Sequence, residues 1–184
     1  MKIVVDAFGG DNSPKEIVKG SIMAAKEYKE EIILVGNEEV IFKLLKELDG
    51  ENCGISVVNA TEIIDMHDDP STALRRKKDS SMAVGLNLLK EDKADAIVSA
   101  GSTGALLTGA TLFAKRIKGI RRGALAPIMA TKTGKVLIID SGANTECNVE
   151  YLLQFAYMGS IYMNKICGIA SPRVGILNNG SEST

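Results

Sequence analysis

The strongest constraint on the fold is an alternation that runs through most of the sequence. Short apolar runs, bounded by Gly, Asp or Asn, take turns with longer segments of helical period. The apolar runs are Lys2 to Val5, Ile32 to Val35, Ile55 to Val58, Ala94 to Ser99, Leu125 to Ala130, Val136 to Ile139 and Val174 to Leu177. None shows polar alternation, which is the pattern of strands covered on both faces. Helical segments are expected over Pro14 to Tyr28, Glu38 to Leu48, Ser80 to Glu91, Ala105 to Lys115 and Val149 to Asn164. At the first of these, Ser13 is the expected N-cap, with Pro14 in the first turn and Glu16 placed for a capping box. The pattern predicts an α/β fold, a mainly parallel sheet between two helical layers. The exception is Leu125 to Ile139, two runs around Thr131-Lys132-Thr133-Gly134, expected to form a hairpin. No repeat, low-complexity tract or linker interrupts residues 1–184, so one α/β domain is expected.

In open α/β sheets ligands bind at the carboxyl ends of the strands, and three glycine-rich turns fall there. Ser99-Ala100-Gly101-Ser102-Thr103-Gly104 joins an apolar run directly to a helical segment. Amides at such a junction, with the helix dipole behind them, favour a phosphate or carboxylate. Gly101 and Gly104 let the backbone turn tightly and approach a ligand. Asp6-Ala7-Phe8-Gly9-Gly10-Asp11 and Asp140-Ser141-Gly142-Ala143-Asn144 are similar junctions. Together they point to one polar, anion-handling rim. For Gly9 and Gly10 a plain strand-to-helix connection is an equal reading. Asp6 and Asp11 would repel a phosphate and are better suited to orienting a cation or a neighbouring loop. Asn144 can donate and accept, although an Asx-type start to a helix would explain the same residues.

Arg75-Arg76-Lys77-Lys78 is a basic run in a chain of net charge -1. It reads as a solvated face or as an anion clamp, with Arg75 and Lys78 sharing one side of a helix and the Arg fork suited to oxyanions. Ser80 and Ser81 could add hydroxyl donors. The second basic stretch, Lys115 to Arg122, follows a helix end, where cations favour the dipole, and is read as mostly structural. His67 is the only histidine, in the acidic segment Asp65 to Asp69. It reads as a surface residue.

Several function classes drop out. The near-neutral charge and an aromatic content of 4% without Trp argue against a nucleic-acid partner. Cys53, Cys147 and Cys167 are odd in number and far apart, which fits reduced thiols in a cytosolic protein. With one His and no paired Cys, no metal site is expected. No G-x-G-x-x-G, G-x-x-x-x-G-K-[ST] or G-x-S-x-G occurs, which lowers dinucleotide, ATP and serine-hydrolase readings. Met1-Lys2 leads straight into a strand, so no leader is expected. No apolar run nears the roughly 18 residues of a membrane span. The chain stops at Asn178 to Thr184, just after an expected strand. That is an odd place to finish, and a fragment is expected.

Seven segments together resemble the N-terminal part of the phosphate acyltransferases of bacterial phospholipid synthesis, the PlsX family. They are Val5 to Asp11, Arg75 to Met82, Val98 to Leu106, Gly119 to Pro127, Asp140 to Asn144, Gln154 to Ser160 and Ser171 to Glu182. The similarity runs through the chain in order but covers about half of a family member. Ser102 stands where the family usually has Asn, Phe8 where it has Met, and Thr145-Glu146 where Val-Asp is common.

The resemblance implies transfer of a long-chain acyl group from acyl carrier protein to inorganic phosphate, on an α/β/α fold like that of phosphate acetyltransferases and isocitrate dehydrogenases. It implies a cytoplasmic homodimer, peripheral to the membrane, feeding a membrane glycerol-phosphate acyltransferase, with no metal or organic cofactor. Arg75, Lys78 and Asn144 are then the candidate catalytic residues. The candidate phosphate and substrate contacts are Asp6, Gly9, Gly10, Asp11, Ser80, Ser99, Gly101, Ser102, Thr103, Gly104, Asp140, Gly142, Asn178, Gly180 and Glu182. The alternatives are a phosphate acetyl- or butyryltransferase using acyl-CoA, a dehydrogenase relative needing NAD, and a truncated chain that binds phosphate without catalysis.

Overall fold

The computed structural model describes residues 1–178. The chain divides into two compact units, Met1–Lys115 and a second that begins at Arg116. In the first unit β1 (Lys2–Asp6), α1 (Lys15–Tyr28), β2 (Glu31–Gly36), α2 (Glu38–Glu47) and β3 (Ile55–Asn59) follow in turn. Then come α3 (Ala73–Arg76), α4 (Ser81–Lys90), β4 (Ala96–Val98) and α5 (Thr103–Phe113). The four strands form one parallel sheet in the order β3-β2-β1-β4.

The two faces of β2 account for its unbroken apolar run. Ile32 and Leu34 enter a core with Val18, Ile22 and Ala25 of α1 and Ile41 and Leu45 of α2. Val35, one residue out of phase, packs with Val4 of β1 and with Val84 and Leu88 of α4 on the other face. Period-two side chains therefore all find cover, and the sheet lies between helical layers as expected. Each such side chain, fully buried, contributes about 1.5–3 kcal/mol relative to exposure.

Side-chain caps start several of these helices. Asn37 and Ser80 cap α2 and α4, accepting from the amides of Val40 (3.1 Å) and Ala83 (3.3 Å). Ser13 does not cap α1. The residue before that helix is Pro14, with no side-chain cap, and the Ser13 hydroxyl instead donates to the Phe8 carbonyl at 3.1 Å. The turn after β1 competes for that hydroxyl and takes it.

In the second unit β5 (Ile128–Thr131) and β6 (Gly134–Leu137) form the expected hairpin, with Thr131 opposite Gly134. A long helix follows, α6 (Val149–Lys165), capped by Asn148 through the Tyr151 amide at 2.9 Å. Leu137 and Ile139 lie against α6 at Gly159, where an added Cβ would stand 3.2 and 3.3 Å from them. The strand expected over Val174 to Leu177 is not formed. No strand pairs with this run among the described residues, and Val174, Ile176 and Leu177 are exposed. Apolar character by itself makes no strand without a partner for its ladder. Among the described residues no helix is long and apolar enough to cross a membrane.

Candidate functional site

The chain runs outward from β1 to β2 and β3, then returns to place β4 on the other side of β1. The direction of strand order reverses between β1 and β4, and the crevice beyond their carboxyl ends is the ligand position in open parallel sheets. Two of the three glycine turns meet there. Asp6 ends β1, and its Oδ2 accepts a hydrogen bond from the Ser99 hydroxyl, just past β4, at 2.7 Å. The Phe8 amide donates to Asp6 Oδ1 at 3.3 Å, and the Gly101 amide donates to Ser99 Oγ at 3.1 Å.

The glycines of these turns serve one another. A Cβ on Gly9 would lie 2.5 Å from Asp6 Oδ2, 2.8 Å from Ser99 Oγ and 2.9 Å from the Gly101 nitrogen. Gly10 has φ +103° and lies against Ala100, and Gly101 lies against Gly9. Close turn-to-turn packing thus accounts for Gly9, Gly10 and Gly101, where sequence reasoning favoured approach to a ligand for Gly101. Asp11 is exposed.

Beyond this knot the first turn of α5 is open. Ser102 is buried and caps the helix, its Oγ accepting from the Ala105 amide at 3.4 Å and its carbonyl from the Leu106 amide at 3.0 Å. Among the described residues the amides of Thr103 and Gly104 have no acceptor, and Thr103 is exposed. Two free amides at the positive end of an 11-residue helix are an arrangement suited to an anion.

The basic run is brought to the same helix. Pro70 lies against Gly104, where a Cβ would be 2.9 Å from its ring, and Leu74 of α3 lies against Gly109. The expected geometry of the run needs correction. α3 ends at Arg76 and Lys77 leaves the helical conformation with ψ 73°, so Arg75 and Lys78 do not share a helix face. Lys77 turns inward, donating to the Ile63 carbonyl at 2.8 Å and pairing with Asp68. That hydrogen bond from Lys77, with a second from the Asp65 amide, holds the Asp68 carboxyl below its usual range. Arg75 and Lys78 are exposed and pair with no carboxylate among the described residues. Ser80 and Ser81 are buried, and the Ser80 hydroxyl is spent on the Lys77 carbonyl and the Ala83 amide. Neither serine is available as a surface donor.

The third turn belongs to the second unit. Asp140 Oδ1 accepts from the amides of Leu125 (2.8 Å) and Ala143 (3.1 Å), and Oδ2 from the Asn144 amide (2.7 Å) and side chain (2.9 Å). Partial burial pushes the Asp140 carboxyl up. The hydrogen bonds from Leu125, Asn144 and Ala143 outweigh it and leave the carboxyl below its ordinary value. The Asn144 side chain also donates to the Gly123 carbonyl at 2.9 Å. Its donors are therefore committed to holding the loop, and the turn closes on itself instead of starting a helix. Gly142, at φ +124°, makes the bend.

Beside this loop a cleft of about 1020 Å³ is lined by Arg122, Asn144, Cys147, Asn148, Tyr151 and Leu152, among others. Arg122 stands over the Tyr151 ring, 5.9 Å from its centre, so this end of the basic stretch is more than a helix terminus. Arg121 pairs with Glu150 at 3.1 Å. His67 is exposed, and the described residues hold no His/Cys/Asp/Glu cluster fit for a metal ion. Of the C-terminal loop residues, Asn178 is described and exposed, while Gly180 and Glu182 lie outside the described residues.

The sheet order and the turns at its switch point define a phosphate acetyltransferase-like α/β protein. The EutD phosphotransacetylase from Staphylococcus aureus matches with a TM-score of 0.63 over 89% of this chain and 52% of its own, at 19% identity, which is a likeness of fold. The chain belongs to the fatty acid synthesis protein family, the PlsX-type family of the resemblance, whose model matches residues 1–184. It is 51% identical over 185 residues to a phosphate acyltransferase of Heliobacterium modesticaldum, covering all of this chain and 55% of that protein. To the phosphate acyltransferase of Caldanaerobacter subterraneus it is 47% identical over 183 residues, covering 99% and 54%. The chain thus spans about half the length of these relatives.

Proposed function

We propose that the protein is an acyltransferase that moves a long-chain acyl group from acyl carrier protein to inorganic phosphate, yielding an acyl phosphate for phospholipid synthesis. The observation that carries this reading is the pair of amides, Thr103 and Gly104, without partners among the described residues, at the sheet's switch point, in a family whose relatives carry the name phosphate acyltransferase. Inorganic phosphate suits a helix N-terminus. Arg75 and Lys78, exposed and without a carboxylate partner among the described residues, are the cations assigned to the phosphate in this reading.

The chemistry needs positioning more than a nucleophilic side chain. A phosphate oxygen attacks the thioester carbonyl carbon, the tetrahedral oxyanion collapses, the C–S bond breaks, and the thiolate leaves and takes up a proton. Holding the two reactants in line can supply ~7–11 kcal/mol. Each donor to the oxyanion is worth about 2.7–4 kcal/mol. Because the thioester is already activated, no metal or organic cofactor is called for. The activity belongs to a protein of the relatives' length, acting as a cytoplasmic homodimer near the membrane and passing its product to a membrane glycerol-phosphate acyltransferase.

The test is incubation with palmitoyl-acyl carrier protein, with and without phosphate, trapping acyl phosphate with hydroxylamine, and with palmitoyl-CoA in parallel. Phosphate-dependent thiol release and trapped product from the carrier substrate are expected. Turnover of acyl-CoA alone moves the assignment to a phosphate acetyl- or butyryltransferase. In the full-length enzyme, an unchanged phosphate KM and turnover in Arg75→Ala and Gly104→Val would overturn the assigned phosphate position.

A further inference from the structure

Asp6 is the only charged side chain buried among the described residues, 2% exposed, and no cation pairs with it. An unpaired carboxylate in such a place is costly unless its oxygens are hydrogen-bonded. Both are. Oδ1 accepts from the Phe8 amide and Oδ2 from the Ser99 hydroxyl.

The requirement for a carboxylate follows from counting donors. Ser99 Oγ accepts the Gly101 N–H, so its own proton must point the other way, onto an acceptor. The Phe8 N–H needs another. An aspartate offers two acceptor oxygens and an asparagine only one. The carboxylate thus orients the Ser99 hydroxyl and turns its lone pair to Gly101, which fixes the residue two positions before the open turn of α5. Gly9, with no room for a Cβ between Asp6, Ser99 and Gly101, closes the arrangement.

We infer that Asp6 is a positioning residue for the anion position at the start of α5, acting through Ser99 and the Gly101 amide and making no contact with the ligand. This rests on the phosphate reading above and changes the part given to Asp6, Ser99 and Gly101 from contacts to framework. The ligand is left the amides of Thr103 and Gly104 and the Thr103 hydroxyl.

The experiment is a phosphate titration of the 184-residue chain followed by amide NMR, with hydrogen exchange at Gly101, in Asp6→Asn, Ser99→Ala, Ser99→Thr and the Asp6→Asn/Ser99→Ala double variant. Losing a hydrogen bond to a charged group is expected to weaken phosphate binding about tenfold in Asp6→Asn and Ser99→Ala, and to speed Gly101 exchange by a similar factor. Ser99→Thr keeps the hydroxyl and restores both. The double variant is no weaker than either single one, because all act through one chain of bonds.

Unchanged affinity with a still-protected Gly101 amide in both Asp6→Asn and Ser99→Ala would overturn the inference. If Asp6→Asn does not fold, the Ser99→Ala and Ser99→Thr pair decides by the same readouts. If the unsubstituted chain shows no phosphate shifts, the phosphate reading falls. Gly101 exchange and the Thr103 and Gly104 resonances then judge the positioning role alone: movement in Ser99→Ala reversed in Ser99→Thr upholds it, and no movement refutes it.

Discussion

Two glycine-to-alanine substitutions separate packing from backbone entropy. At Gly9 the new methyl would sit 2.5 Å from Asp6 Oδ2, 2.8 Å from Ser99 Oγ and 2.9 Å from the Gly101 nitrogen. These are not the far ends of flexible side chains. Two are hydrogen-bonded to each other and the third is backbone, so relief requires the Asp6–Ser99 bond to open or the two turns to part. Overpacking of this kind costs about 1–3 kcal/mol. Loss of a hydrogen bond to a carboxylate adds roughly 1.5–3 kcal/mol. Gly9→Ala is therefore expected to destabilise by about 2.5–6 kcal/mol. At Gly20, inside α1, a Cβ meets nothing within 4 Å. There the higher helix propensity of alanine should stabilise by about 0.5–1 kcal/mol. Urea denaturation followed by far-ultraviolet circular dichroism reads both, provided the slope with denaturant stays constant. A Gly9→Ala protein within about 0.5 kcal/mol of the parent, the range of an ordinary surface change, would refute the close packing of the turns.

Substitutions at Ser102 and Asp140 bear on the start of α5 and on the acid behaviour of the second unit. Ser102→Ala removes the cap of α5 and should cost about 0.5–2 kcal/mol, while Ser102→Asn, which can cap, should restore most of it in the same denaturation assay. Asp140 has a carboxyl lowered on folding by its four hydrogen bonds. Its stabilising contribution is present above the ordinary carboxylate pKa and is lost as pH falls through the lower folded value. Asp140→Asn should therefore be the less stable protein at pH 7, and its deficit should shrink in denaturation curves taken from pH 5 down to pH 2. A deficit that does not change with pH would remove the carboxylate from the account.

How far each feature could be read depended on how local its cause is. The run Ile32 to Val35 identifies itself because every residue is apolar, and only a strand covered on both faces accommodates that. The caps at Asn37 and Ser80 are local, each bonding three residues ahead. Ser13 has the same cap chemistry but does not cap α1, since the Phe8 carbonyl five residues back takes its hydroxyl. The four-residue helix α3 is too short to leave a period, and it ends before Lys78, so no helix face carries both Arg75 and Lys78. Val174 to Leu177 has strand composition and pairs with no strand among the described residues.

The same division runs through the candidate site. The α/β class, most of the strands and helices, the hairpin at Thr131 to Gly134 and the Ser102-Thr103-Gly104 helix start are legible along the chain, because periodicity and capping act over a few residues. Folding at longer range placed β4 beside β1, joined Asp6 and Ser99, 93 residues apart, by a hydrogen bond, and tied Asp140 and Asn144 to each other and to the segment at Gly123 and Leu125. Those outcomes depend on which donors and acceptors folding brings within about 3 Å, and a bond between distant residues leaves no mark in the spacing of either.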